Sequence, residues 1–156
     1  MSRIAIGADH GGYLLKSSIV DYLKALGHLV IDLVTHTGDP VDYPDYALAV
    51  SQAIVQGDVD LGILVCGSGA GVTVAANKVP GIRAGMCHDS FSARQAREDD
   101  NTNVLCLGAR VIGAQLALYM VRIWLDSSFS GAERHVRRLG KVKEMERMGL
   151  GARHGQ

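Results

Sequence analysis

The sequence predicts a doubly wound α/β domain: a five-stranded parallel sheet with helices on both faces, followed by a C-terminal helix. Three observations predict it. Five short runs rich in Val, Ile and Leu end in Gly, Asp or Cys, and the longer stretches between them carry apolar residues at helical spacing. The chain has 156 residues and 47% hydrophobic content, enough for one sizeable core.

In chain order, the expected strands are Ile4 to Ala8, Leu29 to Leu33, Leu61 to Cys66, Ile82 to Cys87 and Val104 to Leu107. Each is short and apolar throughout, as a strand buried on both faces must be. The expected helices are Leu14 to Leu26, Tyr46 to Val55, Val72 to Lys78, Ser90 to Glu98 and Gln115 to Leu125. Gly27 and Gly57 stand where a glycine stops a helix, and each strand-helix-strand crossover should be right-handed. A last helix is expected from Ala132 to Met148, so that 1–148 form one domain and Gly149 to Gln156 a frayed tail.

Charge and cysteine usage narrow the function classes. Sixteen Lys plus Arg balance sixteen Asp plus Glu, so no net cationic field draws a nucleic acid or an anionic membrane to the whole surface. Any anion recognition is local. From Asp32 to Asp60 there are six Asp and no Lys or Arg, while Gly131 to Gln156 holds seven Lys plus Arg against three Glu. Arg134, His135, Arg137 and Arg138 crowd the basic end, which reads either as a solvated helix face or as an anion pocket. Cys66, Cys87 and Cys106, spaced by 21 and 19 residues, form neither a CxxC motif nor a disulfide framework. They indicate a reducing compartment. With no signal-peptide run and no spanning segment, a cytoplasmic location is expected.

Ligands of open α/β sheets bind at the carboxyl ends of the strands. There the sequence places Asp9-His10-Gly11-Gly12, then Cys66-Gly67-Ser68-Gly69-Ala70-Gly71, then Cys87-His88, and finally Gly108-Ala109-Arg110. The three alternating glycines after Cys66 expose successive backbone N–H groups at the start of a helix, a loop suited to anions or oxyanions. It fits none of the common nucleotide or hydrolase motifs. Val72 replaces the third glycine of the dinucleotide fingerprint, the P-loop lysine is missing, and Cys66 stands where a nucleophile elbow has its first glycine. Cys66 itself reads either as a buried small hydrophobe or as a thiolate favoured by the helix N-terminus, and the adjoining loop with Ser68 argues for the thiolate. Cys87 and Cys106 read as core. Asp9 is equally a helix cap or a site residue, His88 and Asp89 have a capping role open to them, and Tyr43-Pro44-Asp45 suits a helix start.

Taken together, these segments resemble the ribose-5-phosphate isomerase B and galactose-6-phosphate isomerase family. The resemblance rests on Gly7-Ala8-Asp9-His10, Asp42-Tyr43-Pro44-Asp45, Cys66-Gly67-Ser68-Gly69, Ala75-Ala76-Asn77-Lys78, Gly81-Ile82-Arg83-Ala84, Asn103-Val104-Leu105, Leu107-Gly108-Ala109-Arg110 and Arg134-His135-Val136-Arg137-Arg138. It runs from Ile4 to about Met145 in the family's order. It implies a Rossmann-like domain that acts without metal or organic cofactor, in a homodimer, or a tetramer, whose active sites are shared between subunits. The implied chemistry is aldose-ketose isomerisation of a phosphorylated sugar through a cis-enediolate. A second branch of the family carries a Glu base where this chain has Val72, so the chain matches the branch with a cysteine base.

The resemblance also implies roles. Cys66 would move the proton between C1 and C2, with Ser68 on the substrate oxygens and the N–H groups of Gly67, Gly69, Ala70 and Gly71 on the enediolate. Asp9 and Tyr43 would contact the sugar. His10, Arg134 and Arg138 would hold the phosphate, and Arg110 would add positive charge from the neighbouring subunit. The family's ring-opening His is replaced by Asp99, with Asp100 following as a substrate contact. An Asp has a reference pKa near 3.9 against about 6.5 for His, a poorer proton shuttle at neutral pH. Ribose 5-phosphate is nevertheless the first expected substrate, because the phosphate and enediolate residues are otherwise intact and pentose isomerisation is the commonest activity of the family it resembles. The alternatives are a tetrose such as erythrose 4-phosphate that never cyclises, a hexose 6-phosphate (allose, galactose), and a non-catalytic binding subunit of a hetero-oligomer.

Overall fold

The computed structural model describes residues 1–33 and 41–153. Its strands are β1 (Arg3–Ala8), β2 (Leu29–Asp32), β3 (Leu61–Cys66), β4 (Ala84–Met86) and β5 (Val104–Gly108). They alternate with α1 (Tyr13–Ala25), α2 (Tyr43–Val55), α3 (Ala70–Ala76), α4 (Ser90–Glu98) and α5 (Ala114–Asp126), and α6 (Glu133–Arg153) follows. The sheet is wholly parallel, in the order β2-β1-β3-β5-β4. This is the expected doubly wound fold.

The apolar runs form strands because both faces of the sheet are covered. Ile4, Ile6, Ile63, Val65, Leu105 and Leu107 point to one side and pack with Ile19 and Leu23 of α1 and Met120 and Trp124 of α5. Ala5, Leu64, Val104 and Cys106 point to the other, against Val50 of α2 and Val72 of α3. Gly27 and Gly57 end α1 and α2 in left-handed conformation, at φ +87° and +83°. The N–H groups of Gly27 and His28 reach back to Lys24 and Leu23, closing the helix end as the sequence predicted.

Four elements differ from expectation by two residues or more, among them α3, which runs Ala70–Ala76 where Val72 to Lys78 was expected. β4 is shorter than Ile82 to Cys87, because Arg83 is tied to the Asn103 side chain and Asn101 carbonyl before the ladder begins. α2 starts at Tyr43, ahead of Tyr46, since Asp42 adopts an extended cap and Pro44 is helix-compatible in the first turn. α6 continues through 149–153, where a frayed tail was expected; 154–156 lie outside the described residues.

The chain passes to β2 through α1 on one side of β1, then crosses back to β3 through α2 on the opposite face. The strand order thus reverses between β1 and β3, leaving a crevice at their carboxyl ends. Asp9 and Cys66 follow those two strands, and Ala8 pairs with Val65 in register.

Candidate active site

The crevice is built from four strand ends. Asp9, only 8% exposed, turns its carboxylate back so that Oδ1 accepts from the N–H groups of Gly11 and Gly12 at 2.9 and 3.1 Å. It therefore orders the turn that leads into α1, an Asx-type turn, and leaves the cap position to Gly12. His10 beside it is exposed, and its Nδ1 accepts from the N–H of Val41 at 3.4 Å.

Across the crevice, the glycine loop folds over the Cys66 side chain. Cys66 is 4% exposed and its Sγ accepts from the backbone N–H of Gly69 at 3.0 Å. A backbone dipole is thereby aimed at the sulfur, where it stabilises negative charge. Gly69 has φ +82°, and a Cβ there would lie 2.9 Å from the Leu107 carbonyl carbon, so the loop's path demands glycine twice over. The N–H of Ala70 donates to Ser68 Oγ at 3.1 Å, which orients that exposed hydroxyl. Tyr43 reaches in from the start of α2, its ring lying where a Cβ on Gly71 would be 2.9 Å away.

The turn after β5 closes the far side. The N–H groups of Ala109 and Arg110 donate to the carbonyls of Cys66 and Gly67 at 2.8 and 2.9 Å. The Arg110 side chain lies along Gly67, with Cδ and Nε 3.4 Å from the position of a Cβ there. Arg110 thus sits beside the Cys66 loop of its own chain.

Other expected site residues lie elsewhere. Asn101 and Asn103 bond to Arg83 and Gly62 at the amino ends of β4 and β3, and Asp99 and Asp100 come just before them. That end is about 16 Å from Cys66, the length of five strand steps at roughly 3.3 Å. Asp99 ends α4, where its Oδ2 accepts from Gln95 Nε2 at 3.0 Å and its Oδ1 faces His135 Nε2 at 3.4 Å. His135 is buried, with Nδ1 2.7 Å from Ser130 Oγ. α6 begins beside this cluster, so Arg134 and Arg138 share the amino end of the sheet with Asp99. One protomer does not bring Asp99, Asp100, Arg134 or Arg138 together with Cys66. A groove of about 810 Å³ runs between β4 and α6, lined by Ile82, Met86, Leu139, Val142 and Met145, and it excludes Cys66.

The remaining thiols are inert by environment. Burial pushes Cys87 up to about 11 and Cys106 up to about 12. His88, for which the sequence left a capping role open, does something else. Asp89 is the cap of α4, its Oδ1 accepting from Ser92 N at 2.8 Å, whereas His88 Nε2 accepts from Gly108 N at 2.8 Å. Its position at a strand end was visible in the sequence, but its partner, 20 residues away, was not. Among the described residues, no three His, Cys, Asp or Glu side chains converge as a metal site would require, and no helix is long and apolar enough to cross a membrane.

A sequence model of the Ribose/Galactose Isomerase family matches residues 4–142. The chain belongs to that family. Among relatives in the ribose/galactose isomerase family, ribose-5-phosphate isomerase B of Escherichia coli is 44% identical over 94% of this chain and 97% of its own length. The D-erythrulose-4-phosphate isomerase of Pectobacterium atrosepticum is also 44% identical, over 96% of this chain and 94% of its own. A solved structure of ribose-5-phosphate isomerase B from Clostridium thermocellum superposes with a TM-score of 0.92 at 51% identity, covering 94% of this chain and 98% of that one.

Proposed function

We propose that this protein is an aldose-ketose isomerase that interconverts ribose 5-phosphate and ribulose 5-phosphate, working as a cytoplasmic homodimer. The observation that carries the reading is Cys66, shielded at the switch point of the sheet with a backbone N–H on its sulfur. On the open-chain aldose, the Cys66 thiolate takes the proton from C2, and the C1 carbonyl becomes an enediolate oxygen. The thiol then returns the proton to C1, while the proton of the C2 hydroxyl passes to O1 by way of Ser68. The product is the ketose. Gly69 and Ala70 direct their N–H groups to Cys66 and Ser68, so the enediolate falls to those of Gly67, Ser68 and Gly71. One well-placed donor of this kind contributes about 3 to 4 kcal/mol.

Asp9 and Tyr43 line the sugar side, His10 faces the phosphate, and Arg110 supplies a cation from the same chain. Arg134 and Arg138, with Asp99 and Asp100, enter from the second subunit, since their own Cys66 lies across the sheet. The surface of α6 supports the pairing: Val142, Met145 and Met148 are exposed along one side of it, an apolar stripe unusual for a solvated helix.

A tetrose 4-phosphate is a second reading, favoured by the engagement of Asp99. Its carboxylate is already held by Gln95 and His135, which suits a helix anchor better than a ring-opening shuttle. A tetrose with phosphate on O4 has no free hydroxyl to close a furanose and needs no shuttle. NMR-monitored turnover of ribose 5-phosphate beside erythrose 4-phosphate in deuterated buffer decides between them, with Cys66→Ala as control. Pentose turnover and solvent exchange abolished in Cys66→Ala support the first reading; turnover of the tetrose alone supports the second. Binding of sugar phosphate with no exchange in the unmodified protein would sink both and leave a non-catalytic subunit.

A further inference from the structure

The Cys66 loop does not stand alone. Its two leading carbonyls accept from Ala109 and Arg110, and Gly108 packs so tightly on Ser68 that a Cβ there would lie 2.4 Å from the Ser68 carbonyl oxygen. The position of the loop therefore follows the position of the 108–110 turn. Among the described residues, the side chain that holds that turn from the far side is His88, just beyond β4, through the 2.8 Å bond from Gly108 N–H to Nε2.

We propose that His88 is a positioning residue for the Cys66 loop and that it works only as the neutral imidazole. Nε2 accepts a hydrogen bond when it carries no proton; the imidazolium has a donor on both nitrogens and would set N–H against N–H. Protonation thus breaks the anchor, frees Gly108, and releases the carbonyls of Cys66 and Gly67 that the turn holds. The surroundings favour the neutral form: partial burial pulls His88 below the ordinary histidine value, against the opposing pull of the Asp89 carboxylate. Asp89 is itself committed to Ser92 Nα and Oγ at the start of α4. The facing turn brings Arg110, whose side chain runs along Gly67, and the loop beyond it brings Cys66.

The inference rests on Cys66 being the catalytic base, and its test separates the two. Steady-state kinetics of the unmodified protein, His88→Gln and His88→Ala are measured from pH 5 to 8, and the Gly108 amide resonance is followed over the same range without substrate. A glutamine carbonyl accepts at every pH. The ratio of kcat in His88→Gln to that of the unmodified protein should stay near one at pH 8 and rise several-fold by pH 5. His88→Ala should lower kcat more than it alters KM at pH 8, and glutamine should rescue it. In the unmodified protein the Gly108 amide should shift in step with the His88 imidazole, and in His88→Gln it should not. Parallel pH profiles for the unmodified protein and His88→Gln would overturn the proposal, as would a Gly108 amide indifferent to His88 titration. Absence of turnover with any sugar phosphate would sink the isomerase reading, while the amide titration still decides the role of His88.

Discussion

Replacing Gly12 with alanine tests how the crevice is assembled. A Cβ at Gly12 would lie 2.5 Å from the Val65 carbonyl oxygen and 2.7 Å from both its carbonyl carbon and Cγ1. Val65 is fully buried, and its carbonyl accepts from Asp9 N–H, so neither partner can swing aside as a flexible side chain would. The start of α1 must move off the end of β3, stretching the Asp9 bonds to Gly11 and Gly12. Overpacking of this kind costs about 1 to 3 kcal/mol. At roughly 2 to 4 °C per kcal/mol for a chain of this size, the midpoint of thermal unfolding should fall by about 2 to 12 °C. The control is Gly113→Ala, where a Cβ meets nothing within 4 Å and the backbone φ of −79° suits any residue. It should change stability by no more than about 0.5 kcal/mol. Both proteins are melted by circular dichroism at one concentration and assayed for isomerisation. Gly12→Ala melting with the parent, or the two variants shifting equally, would refute the claim that close approach of α1 to β3 sets this corner.

Native alkylation with iodoacetamide at pH 8 should leave Cys87 and Cys106 unmodified, because burial holds their thiols near 11 and 12, and peptide mapping should find them labelled only after urea. Label on either in the folded protein would contradict their placement in the core. Asp89→Ala should lower the melting midpoint by a few degrees at neutral pH by removing the cap of α4. The Asp89 carboxyl is held below its ordinary value by Ser92, so its contribution is present above the ordinary carboxylate range and lost as pH falls through its native value. The difference from the parent should therefore shrink on acidification, and a difference that grows would show the sign to be wrong.

The order and type of every described element could be read from apolar period and helix stops, because Val, Ile and Leu runs such as Leu61 to Cys66 have no other stable home than a covered parallel strand. Boundaries were harder where a tertiary bond decides them. Arg83 leaves β4 because Asn101 and Asn103 capture it, and the start of α2 at Tyr43 is set by the extended Asp42 before it. In the crevice, Cys66, Ser68 and Asp9 were legible from their place at strand ends. Arg110 and His88 stood at strand ends too, but their partners were not legible, since each depends on which backbone N–H or carbonyl lies opposite, a fact of strand order and register. Asp99 was recognisable as a substitution, yet its pairing with His135 joins two helices that no sequence period connects.

That pairing bears on how the proposed shared site would be made from two chains. α4 ends in Asp99, His135 docks on it, and Ser130 holds His135 from behind, so the orientation of α6 and its arginines is set at the amino end of the sheet. Cys66 is set at the carboxyl end. A phosphate held by Arg134 and Arg138 can meet Cys66 only if a second copy presents its amino end to the first, and a two-fold interface then creates two equivalent sites. Such sites complement. Cys66→Ala and Arg138→Ala should each be inactive alone. Mixed in equal amounts and allowed to exchange subunits, half of the dimers become hybrids with one intact site, restoring about a quarter of the parent activity. Recovery to that level requires the thiol and the guanidinium of one site to come from different chains. No recovery, with exchange verified by mass, would place both groups in one chain and overturn the shared site.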